Sequence, residues 1–337
     1  MAPKGTSPFE GARSMYVERI AMKNVLITIP ANENHKAQFE EALEGGVECE
    51  LVYAEPESVT DEQLANANAI MGVIFPPQLK KTQNLEWVQL NSAGFDKFVE
   101  PGVLPEGVLL TNATGAYDLA VGEHMIALTF ALIRRFPEYA RRQAAHEWGS
   151  VGMNIAVEGS TILVLGCGNI GGFYARKMHA LGATVIGFRN TLRDECEDYL
   201  LEQHTLDDLD EWLPRADVVA MILPGGPATA NVMDERRLRL MKPGAYLVNC
   251  GRGNSINAED LKKVLADGLL GGVALDVTEP EPLPADDELW DIPRVFLTPH
   301  CAGYYFMEET TNRIVAIAAD NLHAWTHGEP LTHVVNR

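Results

Sequence analysis

The sequence predicts an α/β protein of two doubly wound parallel-sheet domains with a cleft between them. Three observations carry this. At 337 residues the chain is too long for one simple α/β unit and suits two of ordinary size. Hydrophobic residues make up 46% of it, enough for two cores. Short β-branched runs alternate with helical patterns, the arrangement that builds parallel sheets.

The first unit opens at 24–29 (NVLITI), a buried strand stopped at Pro30. A helix is expected over 34–43, ending at Gly45 and Gly46. Further strands are expected at 49–53, at 69–75 before Pro76 and Pro77, at 85–90 and at 108–111. No glycine fingerprint follows the first strand. Residues 121–135 form the longest helical pattern, with apolar side chains at Val121, Met125, Leu128, Leu132 and Phe136. Arg134 and Arg135 stand at its C-terminal end, where the helix dipole favours cations. This helix is expected to join the two units. The second unit opens at 160–165 and runs to about residue 299. A last helix over 307–326 is too small to be a domain and is expected to pack back onto the first unit.

Composition removes several classes of function. Lys and Arg total 27 against 47 Asp and Glu, a formal charge of −20. So acidic a chain does not wrap nucleic acid or sit on an anionic membrane. Five scattered cysteines (Cys49, Cys167, Cys196, Cys250, Cys301) form no CxxC pair, which argues for a reducing, cytoplasmic setting and against a structural metal site. The longest apolar run, 125–133, is too short for a membrane span. Residues 1–22 have no apolar signal region and read as a disordered leader, or as a start placed too early, since Met15 and Met22 also offer starts.

The strongest local motif is 161–171 (TILVLGCGNIG), an apolar strand running into a helix expected over 173–181. In that context the glycines have distinct duties. Gly166 permits the tight turn, Gly168 lets a pyrophosphate approach the backbone, and Gly171 allows close helix–strand packing. The helix N-terminus then faces the phosphates with free N–H groups, and Asn169 and Ile170, in the turn before it, are expected at the cofactor. Residues 119–303 are therefore expected to form a dinucleotide-binding domain. Residues 23–118 plus 304–337 form a discontinuous substrate domain. The next strand, 183–188 (ATVIGF), should end in an acidic residue if the ribose carries a free 2′-hydroxyl. It ends instead in Arg189, Asn190 and Thr191, followed by Arg193. Arginine binds a 2′-phosphate that a carboxylate would repel, so NADP(H) is expected over NAD(H), with NAD(H) still admitted.

Three further residues point to chemistry. Arg252 follows the strand-like 247–250 (LVNC), at the end of a parallel strand where ligands bind, and its planar fork suits a carboxylate and a keto oxygen together. Glu281 lies in 273–282 (VALDVTEPEP), beyond Asp276. His300 closes 295–300 (VFLTPH). A carboxylate beside an imidazole fixes its tautomer and favours its protonated form, making an acid usable at neutral pH.

Arg252, Glu281 and His300, with the glycine motif before them, resemble the D-isomer-specific 2-hydroxyacid dehydrogenase family. The separation of Arg252 and Glu281 and the pattern around Asp276 both fit, and the resemblance extends from about residue 24. It implies two Rossmann-like/flavodoxin-like domains and hydride transfer between NADP(H) and a small 2-keto acid. Arg252 would anchor the substrate, His300 would donate the proton, and Glu281 would hold His300. Asn91-Ser-Ala93-Gly94-Phe95-Asp96 resembles the family's substrate loop, with the N–H groups of Ala93 and Gly94 on the substrate carboxylate. Asn112, Gly115, Gly122, Glu123 and His124 resemble the start of the hinge and dimer helix. Leu223 and Pro224 resemble the segment lining the nicotinamide, and Met241 to Gly244 the loop before the arginine strand. Asp276 would contact the nicotinamide carboxamide or ribose, with Cys250, Gly251 and Gly303 also at the cofactor. Phe95 and Tyr304 would line the substrate. The resemblance also implies a homodimer through the dinucleotide-binding domains and no metal.

Two departures matter. Gly225 and Gly226 replace bulkier residues, and Cys301 to Tyr305 replaces a small, glycine-rich stretch. Formate-type enzymes of the same superfamily carry glutamine where Glu281 stands, which argues against that activity. A phosphite-type dehydrogenase and a non-catalytic nucleotide-sensing protein of the same fold are the remaining alternatives.

Overall fold

The structure, a computed structural model, describes residues 22–336, so the leader expected over 1–22 lies outside the described residues apart from Met22. The first layer runs β1 (Lys23–Ile27), α1 (Glu33–Ala42), β2 (Cys49–Tyr53), α2 (Asp61–Asn66), β3 (Ala69–Gly72), α3 (Pro76–Leu79), β4 (Trp87–Leu90) and β5 (Leu109–Thr111). Then come α4 (Asp118–Ile133) and α5 (Phe136–Ala144). The second layer runs β6 (Thr161–Leu165), α6 (Asn169–Ala180), β7 (Thr184–Phe188), β8 (Glu202–His204), α7 (Leu209–Trp212), β9 (Val218–Met221), α8 (Glu235–Leu240), β10 (Tyr246–Asn249), α9 (Ala258–Ala266), β11 (Gly272–Leu275) and β12 (Val295–Leu297). The last helix is α10 (Glu308–His327).

Both sheets are parallel throughout. The first has the order β2-β1-β3-β4-β5 and the second β12-β11-β10-β9-β6-β7-β8, the two common doubly wound arrangements. Parallel strands covered on both faces need apolar residues at every position. In β6, Ile162 and Val164 enter one core while Leu163 and Leu165 enter another. In β1, Val25 and Ile27 face one way and Leu26 the other. The core holding Val25, Ile27, Ile162 and Val164 is continuous between the sheets by way of Tyr117, Val121 and Met125.

Some boundaries differ from expectation. The third strand leaves the sheet at Gly72 (φ +122) rather than running to residue 75; a Cβ there would lie 2.7 Å from the Ile29 nitrogen. The long helix ends at Ile133. Arg135 adopts a left-handed conformation (φ 62) and Phe136 opens a new helix, so Phe136 is exposed rather than part of the apolar stripe. The long helix α4 also packs on α6, β10 and β11 and covers one face of the second sheet, which is more than a connection. The last helix packs on α1, and its Asn321 donates to Gln89 Oε1 at 2.8 Å. Trp325 meets the buried Trp87 ring at 5.7 Å.

Candidate active site

Every candidate residue follows the carboxyl end of a strand, the end at which open α/β sheets bind ligands. β6 runs into the glycine turn. Gly166 has φ +96, and a Cβ there would stand 2.5 Å from the Ile222 carbonyl oxygen. A Cβ on Gly171 would stand 2.3 Å from the Gly166 carbonyl oxygen, so helix and turn touch only because neither has a side chain. Gly168 meets nothing within 4 Å and leaves its backbone open. No side chain caps α6, so the N–H groups of Asn169 and Ile170 lack intrahelical partners. Gly168, Asn169, Gly172, Arg176, Arg193 and Tyr199 line a polar cleft of about 230 Å³ beside this turn. Open backbone, free N–H donors and two arginines fit a dinucleotide diphosphate. Arg176 was not expected from sequence, because nothing in a helical pattern shows which face meets the turn.

The end of β7 departs from expectation. Arg189 does not reach freely into the cleft; it is 8% exposed. Its NH2 donates to both carboxylate oxygens of Glu197, each at 3.0 Å, and Arg193 NH1 donates to the same carboxylate at 2.5 Å. Asn190 is exposed. Glu197, which holds both arginines, comes from the loop that follows β7.

The substrate loop after β4 is held by its own polar groups. The Ser92 hydroxyl donates to the Gly94 carbonyl at 2.6 Å, and Asn112 Nδ2 donates to the Ala93 carbonyl at 2.8 Å. The N–H groups of Ala93 and Gly94 have no acceptor among the described residues. Arg252 reaches this loop from β10. Its Nε donates to Asp96 Oδ2 at 3.2 Å, and its NH2 lies 3.2 Å from the same oxygen. A Cβ on Gly94 would come within 2.0 Å of Arg252 NH2. A Cβ on Gly225 would stand 3.1 Å from Asp96 Oδ1, so the small residue at 225 leaves room for this carboxylate. Asp96 closes the loop motif seen in the sequence, but its pairing with Arg252 was not expected. Phe95, beside it, is part-buried against the core that holds Leu26.

His300 and Glu281 meet at 2.5 Å, Nδ1 to Oε1, with both side chains about half exposed. His300 sits at φ +51, and its N–H donates to the Asp276 carbonyl at 2.7 Å. Asp276 lies beneath this turn, 2% exposed. Its carboxylate accepts from the Thr298 hydroxyl (2.7 Å), Cys301 N–H (2.9 Å) and Ala302 N–H (3.1 Å). His124 Nε2 lies 3.5 Å away and 3.0 Å from the Thr298 hydroxyl. The Asp276 oxygens are thus taken up in shaping the segment that carries His300. Gly303 packs against Tyr117, whose ring would lie 2.9 Å from a Cβ. Tyr304, at φ +61, is exposed and meets the Tyr305 ring edge-on at 4.9 Å. Leu223 and Cys250 are buried at the ends of β9 and β10, and burial pushes the Cys250 thiol well above its ordinary pKa. Gly251 is pressed against the Leu223 carbonyl, 2.6 Å from where its Cβ would stand, beside Pro224.

This geometry agrees with what the chain resembles. A family model described as D-isomer specific 2-hydroxyacid dehydrogenase, NAD binding domain, matches residues 126–302. A glyoxylate reductase from Thermofilum pendens is 31% identical over 259 residues, covering 75% of this chain and 76% of that one. A D-isomer specific 2-hydroxyacid dehydrogenase family protein from Aeromonas salmonicida subsp. salmonicida superposes with a TM-score of 0.82 at 29% identity, over 94% of this chain and 99% of that one. An NADPH-dependent glyoxylate/hydroxypyruvate reductase from Sinorhizobium meliloti, solved with NADP and sulfate, superposes with a TM-score of 0.76 at 25% identity, over 93% of this chain and 98% of that one. The chain therefore belongs to the D-isomer specific 2-hydroxyacid dehydrogenases and is an NAD(P)-dependent oxidoreductase acting on CH–OH donors.

Proposed function

We propose that the protein reduces a small 2-keto acid to its D-2-hydroxy acid, using NADPH in preference to NADH. The observation that carries the reaction is the 2.5 Å contact between His300 Nδ1 and Glu281. With Nδ1 so engaged, Nε2 is the ring atom left to face substrate. Arg252 binds the substrate carboxylate and polarises the keto oxygen. The unclaimed N–H groups of Ala93 and Gly94 hold the carboxylate's other oxygen. The nicotinamide ring, when bound, supplies the hydride. His300 gives its Nε2 proton to the oxygen left on C2, and takes it back in the reverse direction. Glu281 holds the imidazole in orientation throughout. Asp96 is a positioning residue: it holds Arg252 in the substrate loop and is loosened as a substrate carboxylate arrives.

The preference for NADPH rests on Arg189 and Arg193 at the ribose end. The reductase from Sinorhizobium meliloti, crystallised with NADP, supports the same reading. The test is absorbance at 340 nm with NADPH and with NADH against a panel of 2-keto acids and phosphite. Turnover of glyoxylate or hydroxypyruvate, faster with NADPH, is expected. No turnover of any keto acid, with cofactor still bound, would contradict the proposal.

The protein is further proposed to act in the cytosol as a homodimer. Its five cysteines are all free, as a reducing compartment leaves them. No described helix is long and apolar enough to cross a membrane. The segment after α4 exposes Phe136, Trp148 and Met153, Trp148 fully, apolar side chains that a partner would cover. A second copy covering this arm completes the dinucleotide-binding domains as a pair.

A further inference from the structure

The Arg189–Glu197–Arg193 cluster has an unbalanced feature. Arg189 is more than nine-tenths buried, yet its Nε and NH1 have no hydrogen-bond partner among the described residues. Buried donors left without acceptors are costly. The Cys167 thiol lies beside the guanidinium. The cluster borders the nucleotide cleft directly. The N–H groups of Gly166 and Cys167 both donate to the Phe188 carbonyl, so the glycine turn and the end of β7 are clamped together. Arg193 and Tyr199 line the same cleft as Gly168 and Asn169, and the Tyr199 hydroxyl would stand 3.0 Å from a Cβ on Gly172.

Glu197 therefore stands where a second anion would stand. Its two oxygens absorb one donor from Arg189 and one from Arg193, while the remaining Arg189 donors stay empty. Burial pushes the Glu197 carboxyl up, but its backbone hydrogen bond and the two arginines outweigh this and hold it below the usual carboxylate range. It is ionised at neutral pH and carries a full charge.

We propose that Glu197 sets the cofactor discrimination of this enzyme, acting as a built-in anion that competes with the ribose 2′-phosphate for Arg189 and Arg193. Binding a 2′-phosphate requires Glu197 to yield its donors, which weakens NADP(H). A free 2′-hydroxyl leaves the cluster intact, so NAD(H) is unaffected. The two arginines keep NADP(H) favoured, and Glu197 limits by how much. This inference rests on the reading that Arg189 and Arg193 meet the 2′-phosphate.

The test is calorimetric titration of NADP⁺ and NAD⁺ into the wild type, Glu197→Gln and Arg189→Ala, which reads affinity without turnover. Removing one charge from a close, partly buried pair is expected to tighten NADP⁺ by about five- to tenfold in Glu197→Gln and to leave NAD⁺ within about twofold. Arg189→Ala is expected to weaken NADP⁺ alone. If Glu197→Gln leaves NADP⁺ unchanged or weakens it while Arg189→Ala also weakens it, Glu197 merely props up the arginines and the inference is overturned, with the arginine reading intact. If Arg189→Ala leaves NADP⁺ unchanged, both fall together. NAD⁺ binding reports the fold of each variant, and Glu197→Ser repeats the test should Glu197→Gln bind neither dinucleotide.

Discussion

Two glycines decide where Arg252 points. Gly94 lets the guanidinium lie against the substrate loop and Gly225 leaves room for Asp96 to receive it. Gly94→Ala puts a methyl group 2.0 Å from Arg252 NH2 and must displace it. A misplaced positioning group of this kind costs about a hundredfold in rate. The variant should lose about that much in kcat/KM for keto acid, with cofactor affinity unchanged; a normal kcat/KM would remove Arg252 from the role given to it. The five thiols make a second prediction at this scale. Burial raises every one of them above its ordinary pKa, and the charge of Glu197 adds to this at Cys196. Alkylation by iodoacetamide should be slow at pH 7 and begin at Cys196, which is exposed. Rapid loss of Cys250 or Cys301 under those conditions would contradict the burial. The meeting of His300 with Glu281 was legible in the sequence, because a carboxylate placed from Asp276 and a histidine closing a strand were expected to pair. The pairings of Asp96 with Arg252 and of Glu197 with Arg189 were not, because they depend on partners distant in the chain or on how a loop folds back.

At the scale of elements, the glycine turn separates packing from binding. A Cβ on Gly171 meets backbone at 2.3 Å, whereas one on Gly168 meets nothing. Gly171→Ala should therefore destabilise the fold by about 2 kcal/mol or more, seen as a lower Tm. Gly168→Ala should keep its Tm and lose dinucleotide affinity, since its new methyl group faces the open cleft. Equal effects of the two on Tm would refute this division. The same glycines hid the start of α6, which begins at Asn169 rather than at residue 173, because glycine carries no helical signal. The strands were easier to read. Strands covered on both faces appear as apolar runs, whereas the polar edge strand β8 (EQH) carries no such signal and was not expected. The break at Arg135 was not legible, since a left-handed arginine looks no different in sequence from a helical one.

Across the whole molecule, acidic side chains outnumber basic ones and many are held by arginine or lysine. Arg236 and Arg237 lower the carboxyl of Asp210. At Asp287 burial pushes upward, but the Leu289 N–H and Lys262 prevail and lower it. A folded-state pKa below the unfolded value contributes stability that is complete above the unfolded pKa and is lost as pH falls through the folded one. The Tm should thus hold steady from pH 7 to about 5 and fall below about 4, where these carboxylates protonate. Asp210→Asn should flatten that fall, and a Tm independent of pH down to 3 would be inconsistent with these pairs. The exposed arm makes a separate prediction about assembly. Trp148→Ser should shift the protein from dimer to monomer by light scattering, whereas an unchanged mass would place the interface elsewhere.

The central claim is that His300, held by Glu281, moves the proton that accompanies keto-acid reduction. The most direct test compares His300→Ala with the wild type in two measurements, the turnover of the best keto acid and the affinity for NADPH by fluorescence titration. General acid catalysis of this kind contributes about 10²- to 10⁴-fold, so kcat should fall by that factor while NADPH affinity stays within about twofold. A variant that turns over at the wild-type rate would contradict the assignment.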